Sequence, residues 1–123
     1  MAYILVMEDE RIIQTIIKRY LEREGHEVAV AGDGEEGIRM YEQRPADLVL
    51  TDIIMPKKEG IETIRDLKKI SPDVKIIAMS GGGKIDSEDY LDLAGKFGVK
   101  ETFTKGSDWS MLAPLVKRIL EED

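Results

Sequence analysis

Four polar stations interrupt a series of short apolar runs: Glu8-Asp9-Glu10, Asp52, Ser80 and Lys105. Each stands at the carboxyl end of a run of aliphatic and β-branched residues. Three carboxylates brought into one crevice repel one another and raise each other's pKa unless a cation intervenes. The hard-oxygen candidate is Mg2+, which takes one or two carboxylates and leaves room for waters and phosphate oxygens. A lysine beside such a cluster suits an anion that arrives later, and a hydroxyl can donate to the same anion. Carboxylates, Mg2+, Ser and Lys around one point make a phosphoryl-transfer constellation, in which the protein mainly positions groups and neutralises charge. Taken singly, each station has a plainer reading. Acidic residues are favoured at a helix N-terminus by the dipole. Asp52 could be a turn residue before Met55-Pro56, Ser80 a loop residue before glycines, and Lys105 a solvated charge. The reading therefore rests on their joint placement.

What must position them is an alternation of elements. The runs Tyr3 to Met7, Val28 to Ala31, Leu48 to Leu50, Val74 to Met79 and Thr102 to Thr104 read as buried strands. Between them lie helical patterns. The first runs from about Glu10 to Glu24 with Ile13, Ile16, Ile17, Tyr20 and Leu21 on one face and Gly25 as its stop. Others are expected near Gly34 to Gln43, Glu59 to Ile70, Ser87 to Phe97 and Ser110 to Leu120. Pro114 falls inside the last pattern, so that helix is expected to start late, with the proline in or just after its first turn. Five strands alternating with five helices imply βαβ units and a doubly wound α/β domain with a parallel sheet. Ligands of such sheets bind beyond the carboxyl ends of the strands, where the four stations stand.

Composition narrows the chemistry further. The chain has 123 residues, with 18 Lys plus Arg against 25 Asp plus Glu, a formal net charge of −7. That size suits one domain able to bury its own core. With no cysteine and one histidine, thiolate sites, disulfides and a multi-His zinc site are excluded, so a protein metal site must be oxygen-based. The longest apolar run, Met1 to Met7, falls far short of the roughly 18 residues that span a bilayer, and a cytoplasmic, membrane-free protein is expected. The acidic balance argues against nucleic acid as a direct partner, because phosphate contact is mostly cationic.

The stretches ILVMEDE at 4–10, GDGEEGI at 32–38, PADLVLTDIIMPKKEGIE at 45–62, KIIAMSGGG at 75–83 and FTK at 103–105 together resemble the receiver domains of two-component response regulators, of the single-domain type seen in chemotaxis and sporulation relays. The resemblance covers essentially the whole chain. It implies a five-stranded (βα)5 flavodoxin-like fold of strand order 2-1-3-4-5, with residues 1–123 forming one receiver and no output domain. It implies Asp52 as phosphoacceptor from the phosphohistidine of a sensor kinase or histidine phosphotransfer protein. Mg2+ would be held by Asp9, Asp52 and the backbone carbonyl of Ile54, with Glu8 acting mainly through a bound water. Ser80 would donate to one phosphoryl oxygen and Lys105 pair with another. Phosphorylation would then alter the face made by the fourth helix, fifth strand and fifth helix, which would meet an unknown downstream protein. On this reading the protein is a signal carrier, not a turnover enzyme.

Three departures from the family pattern bear on switching. Thr102 stands where many relatives have Tyr or Phe, with Phe103 expected to point into the core by strand alternation. Gly106 follows Lys105 where a proline is usual, and Gly81-Gly82-Gly83 follow Ser80. Ile54 and Gly82 offer no side-chain amide or acid to orient a hydrolytic water, so phosphate lifetime is expected to depend on water exclusion.

Two alternatives compete with that reading. Gly32-Asp33-Gly34-Glu35-Glu36-Gly37 follows a strand, opens a helix and has Asp52 about twenty residues on, the spacing of a dinucleotide fingerprint. Its acidic residues would repel a pyrophosphate, however, and it follows the second strand rather than the first. A phosphorylation-independent pseudo-receiver is the other, and the intact Asp9, Asp52, Ser80 and Lys105 set argues against it. Gly83-Lys84 is no phosphate loop, because Ile85 and Ala78 stand where Ser or Thr and the first glycine are needed. His26 reads as a surface turn away from the crevice, and Trp109 as local packing near the start of the last helix.

Overall fold

The computed structural model describes residues 1–53, 60–80, 96–106 and 108–122. Its elements in chain order are β1 (Tyr3–Met7), α1 (Arg11–Arg23), β2 (Glu27–Ala31), α2 (Gly34–Gln43), β3 (Leu48–Asp52), α3 (Gly60–Ile70), β4 (Ile76–Ser80), β5 (Glu101–Thr104) and a C-terminal helix (Leu112–Glu121) entered through a 3-10 turn at Trp109–Met111. The five strands form one sheet, entirely parallel, in the order β2-β1-β3-β4-β5. This is the expected doubly wound, flavodoxin-like arrangement. The helix expected from Ser87 to Phe97 and the glycines at 81–83 lie outside the described residues, apart from Lys96 and Phe97, which are helical.

Side chains alternate across a strand, so β1 feeds two cores. Ile4 and Val6 join Ile17 and Leu21 of α1 and Val116 and Ile119 of the C-terminal helix. Leu5 and Met7 join Tyr41 of α2 and Ile64 and Leu67 of α3. Strands β3 and β4 are buried along all five residues, as expected of central strands covered on both faces.

Local chemistry sets the helix ends. Gly25, at φ 92°, closes α1 in a Schellman motif, its N–H donating to Glu22 O while His26 N–H donates to Leu21 O. Asp33 caps α2, its Oδ1 accepting from Glu36 N–H at 2.8 Å. Asp108 Oδ1 accepts from Ser110 N–H at 3.0 Å and so organises the 3-10 turn. Pro114 is the third residue of the helix that follows, inside the first turn, where no intrahelical N–H bond is needed.

Strand limits differ from the apolar runs by one or two residues. β3 extends through Asp52 and β4 through Ser80, because ladder pairing is a backbone property: Asp52 pairs with Met79 and Ser80 with Thr104. Val74 is buried yet precedes β4, its N–H turned back to Ser71 O. Phe103 is buried in the core, as strand alternation requires. Among the described residues no helix is long and apolar enough to cross a membrane.

Candidate functional site

The register of the sheet assembles the site. Met7 pairs with Thr51, Asp52 with Met79, and Ser80 with Thr104. Glu8, Asp52, Ser80 and Lys105 therefore converge on one edge of four adjacent strands.

Glu8 continues the main-chain ladder of β1, its N–H donating to Ala31 O at 2.9 Å, and its side chain is 0% exposed. Both of its oxygens are bonded: Oε1 accepts from Lys105 Nζ at 2.9 Å and Oε2 from Glu10 N–H at 2.9 Å. Asp52, 4% exposed at its side chain, accepts from the same ammonium through Oδ2 at 2.7 Å. Lys105, itself 9% exposed, thus bridges two buried carboxylates and lies 3.9 Å from Glu10 Oε1. Ser80 is also buried, and its carbonyl accepts from Lys105 N–H at 2.9 Å.

Burial pushes the Glu8 carboxyl above its ordinary value; the Glu10 N–H and Lys105 oppose the rise, and the charge of Asp52 adds to it. For Lys105, burial alone would lower the pKa. The hydrogen bonds to Asp52 and Glu8 outweigh it, and the ammonium is held above the ordinary lysine value. The bridging residue is therefore a persistent cation at neutral pH.

Beside this bridge, carboxylate oxygens of Glu8, Asp9 and Glu10 lie within 4.8 Å of one another, Glu8 buried and the other two exposed. An all-oxygen set of this kind fits Mg2+. The structure groups Glu10 with Glu8 and Asp9, while the Oδ2 of Asp52 faces Lys105. Ile54, named for its carbonyl, lies outside the described residues.

Two contacts set the backbone of Asp52. Thr51 Oγ1 donates to Asp52 O at 3.1 Å, and Gly60 N–H donates to Ile53 O at 2.7 Å. A Cβ on Gly60 would collide with Asp52 O and Ile53 Cα. Sequence reasoning missed Gln14, whose side-chain amide donates to Glu8 O at 2.5 Å. The available signal was an amide set among Ile12, Ile13, Ile16 and Ile17, four residues after Glu10.

The remaining candidates fall elsewhere. His26 sits at the opposite edge of the sheet, its Nδ1 accepting from Ala2 N–H at 3.2 Å. Trp109 packs on Phe103, ring centroids 5.4 Å apart. The glycine fingerprint serves local structure. Asp33 holds Glu36 N–H, Glu36 Oε1 holds Gly32 N–H at 2.9 Å, and a Cβ on Gly37 would lie 2.5 Å from Met7 Sδ. The N–H groups of Gly32 and Glu36 already have carboxylate acceptors, and Gly37 lets α2 approach β1.

Fold and site together define a flavodoxin-like α/β domain with a buried acid–lysine–acid bridge in the crevice at its strand ends. The chain matches the response regulator receiver domain over residues 4–117, and it belongs to that family of signalling domains. It is 34% identical over 122 residues to the DNA-binding transcriptional regulator NtrC of Azospirillum brasilense, covering 99% of this chain and 25% of that protein. It is 41% identical over 97 residues to the alkaline phosphatase synthesis transcriptional regulatory protein PhoP of Bacillus subtilis (strain 168), covering 72% of this chain and 40% of that protein. The chain thus spans well under half the length of these curated relatives. Among solved structures, a response regulator receiver domain protein from Clostridium thermocellum is similar with a TM-score of 0.85 at 34% identity, over 98% of this chain and 94% of that one. The receiver domain of NtrX from Brucella abortus is similar with a TM-score of 0.87 at 26% identity, over 98% and 99%.

Proposed function

We propose that residues 1–123 act as one phosphoacceptor receiver unit, taking a phosphoryl group from a phosphohistidine onto Asp52. The observation that carries this reading is the Lys105 ammonium held between the buried carboxylates of Asp52 and Glu8. A mostly enclosed cation 2.7 Å from a buried acid marks where an incoming phosphoryl oxygen can be met at once. An Asp52 oxygen attacks phosphorus, the P–N bond to the donor imidazole breaks, and the imidazole nitrogen takes up a proton as it leaves. Lys105 then pairs with one phosphoryl oxygen and the Ser80 hydroxyl donates to another. Asp9, Asp52 and the Ile54 carbonyl are the residues that would hold Mg2+, with Glu8 acting through a water. When bound, the ion supplies neutralisation of the crowded oxygens.

The donor is a sensor histidine kinase or a histidine phosphotransfer protein in the cytoplasm. The output is a change in the face built by the fourth helix, β5 and the C-terminal helix, read by a downstream protein. Direct nucleic-acid contact is not proposed for this acidic segment. The word DNA-binding in the name of the Azospirillum relative belongs to a protein of which the match covers a quarter. The chain carries a signal rather than turning over an external substrate.

The test is incubation with acetyl phosphate and Mg2+, followed by intact mass. The expected result is a base-labile adduct of about 80 Da that is absent with chelator and absent in Asp52→Asn. No adduct in the wild-type protein, or one that survives in Asp52→Asn, overturns the reading.

A further inference from the structure

Glu8-Asp9-Glu10 places three acidic residues in succession at the junction of β1 and α1, and their mutual repulsion works against one fixed arrangement. The usual device at such a junction is a side-chain cap, and it is missing. Glu10 occupies the N-cap position of α1 without a side-chain capping bond, and the first turn of α1 contains no acid. Gln14 does the work from one turn further on. Its side-chain amide donates to Glu8 O at 2.5 Å and its main-chain N–H donates to Glu10 O at 3.0 Å. Glu10 N–H in turn donates to Glu8 Oε2 at 2.9 Å. One residue therefore holds both ends of the acidic turn, and the turn's own N–H holds the buried carboxylate.

We propose that Gln14 is a positioning residue for the cation site: its side-chain bond to Glu8 O fixes the main chain that sets Asp9 where it would ligate the ion and Glu8 where it would act through a water. The inference rests on the metal-assisted reading above and names a residue outside the metal set given there. Its chemistry suits the task. A lysine could donate the same bond but would bring a second ammonium into a crevice where Lys105 already opposes a metal ion. A glutamate would set an acceptor against the Glu8 carbonyl. A neutral amide of this length holds the turn without altering its charge.

The variant Gln14→Met keeps side-chain length and helix propensity and removes the donor. With Mn2+ as the probe, read by electron paramagnetic resonance well below the unfolding temperature, the full chain should bind about 10-fold more weakly in Gln14→Met, as outer-shell losses do. At saturating Mg2+, acetyl phosphate labelling of the variant should return to the wild-type rate, because Gln14 acts on metal affinity and not on the phosphoryl group. Unchanged Mn2+ affinity overturns the proposal, as does a labelling defect that saturating Mg2+ leaves in place. A wild-type measurement keeps it falsifiable if the variant folds poorly. The Gln14 side-chain NH2 resonances should shift saturably on Mg2+ addition, and their indifference at saturation overturns it. Failure of the wild-type protein to bind Mn2+ at all would instead remove the metal-assisted reading beneath.

Discussion

At the scale of the residue, Lys105 carries the greatest electrostatic consequence. It lies 53 residues from one acid it bonds and 97 from the other, so which carboxylates it meets could not be read from local sequence. Its presence in the crevice could, because an apolar run ends just before it. Removing it leaves Glu8 and Asp52 as neighbouring buried anions. Lys105→Met should therefore lower stability by about 1–3 kcal/mol in chelator, the penalty of a buried polar group left without its partner. Mg2+ should restore part of that loss by supplying the missing positive charge. Urea denaturation with and without Mg2+ checks this; equal midpoints for variant and wild type in chelator would contradict it. His26 offers an independent test away from the crevice. Burial, then the amino-terminal ammonium, lower its pKa below 6.5, with Glu24 opposing. Nδ1 accepts from Ala2 N–H, so protonation there forfeits the bond. Between the lowered folded value and 6.5 the unfolded chain binds more protons, so stability rises with pH across that window. The contribution is present above 6.5 and lost as pH falls through the folded value. His26→Gln, which keeps an acceptor and cannot titrate, should show a flatter stability profile than wild type between pH 7.5 and 5.5.

At the scale of the element, hydrophobic periodicity revealed most of the secondary structure and backbone packing supplied the rest. The α2 pattern was legible to its ends because Asp33 caps it and an apolar stripe runs through it. The delayed start of the C-terminal helix was legible from Pro114. The glycines were harder, since the same residue type serves different ends. Gly37 is required by the side chain of Met7, Gly60 by the backbone at Asp52 and Ile53, and Gly106 by a left-handed φ of 88° that proline cannot adopt. Gly60 gives the sharpest prediction. In most helices alanine for glycine gains about 1 kcal/mol in propensity. Here the new Cβ would strike the main chain that delivers Asp52, and backbone cannot rotate away as a side chain can. Gly60→Ala should instead destabilise by about 1–3 kcal/mol, the range for overpacking, and should slow acetyl phosphate labelling even where the protein stays folded. A gain in stability on urea denaturation would show that α3 is not held against the end of β3 as described.

At the scale of the whole molecule, the sheet divides into a buried centre and a more exposed β5 edge, and the site spans the two. All five residues of β3 and of β4 are buried, and four of the five in β1. In β5, at the sheet edge, only Phe103 is buried. This corrects the sequence reading of Thr102 to Thr104 as a buried strand: Glu101 and Thr102 are half-buried and Thr104 is exposed, because an edge strand with a single large apolar residue buries only that residue. The pairing order that puts β5 outermost is a non-local property, and entered the reading through family resemblance rather than periodicity. Glu8 and Asp52 thus stand on the buried centre, whereas Lys105 follows the edge strand, tied to the centre by its N–H on Ser80 O and by its ammonium on the two acids. Native-state hydrogen exchange should resolve this arrangement. Amides of β1, β3 and β4 should exchange only through global unfolding, and those of β5, with the Lys105 N–H, through a smaller opening at rates on the order of 10-fold faster or more. Lys105→Met should speed exchange of β5 more than that of β3, because it removes the two side-chain ties of the edge and leaves the main-chain ladder of the centre intact. Equal protection across β3 and β5 in the wild-type chain would mean that the edge and centre open as one unit, and that Lys105 cannot leave the acids without unfolding the domain.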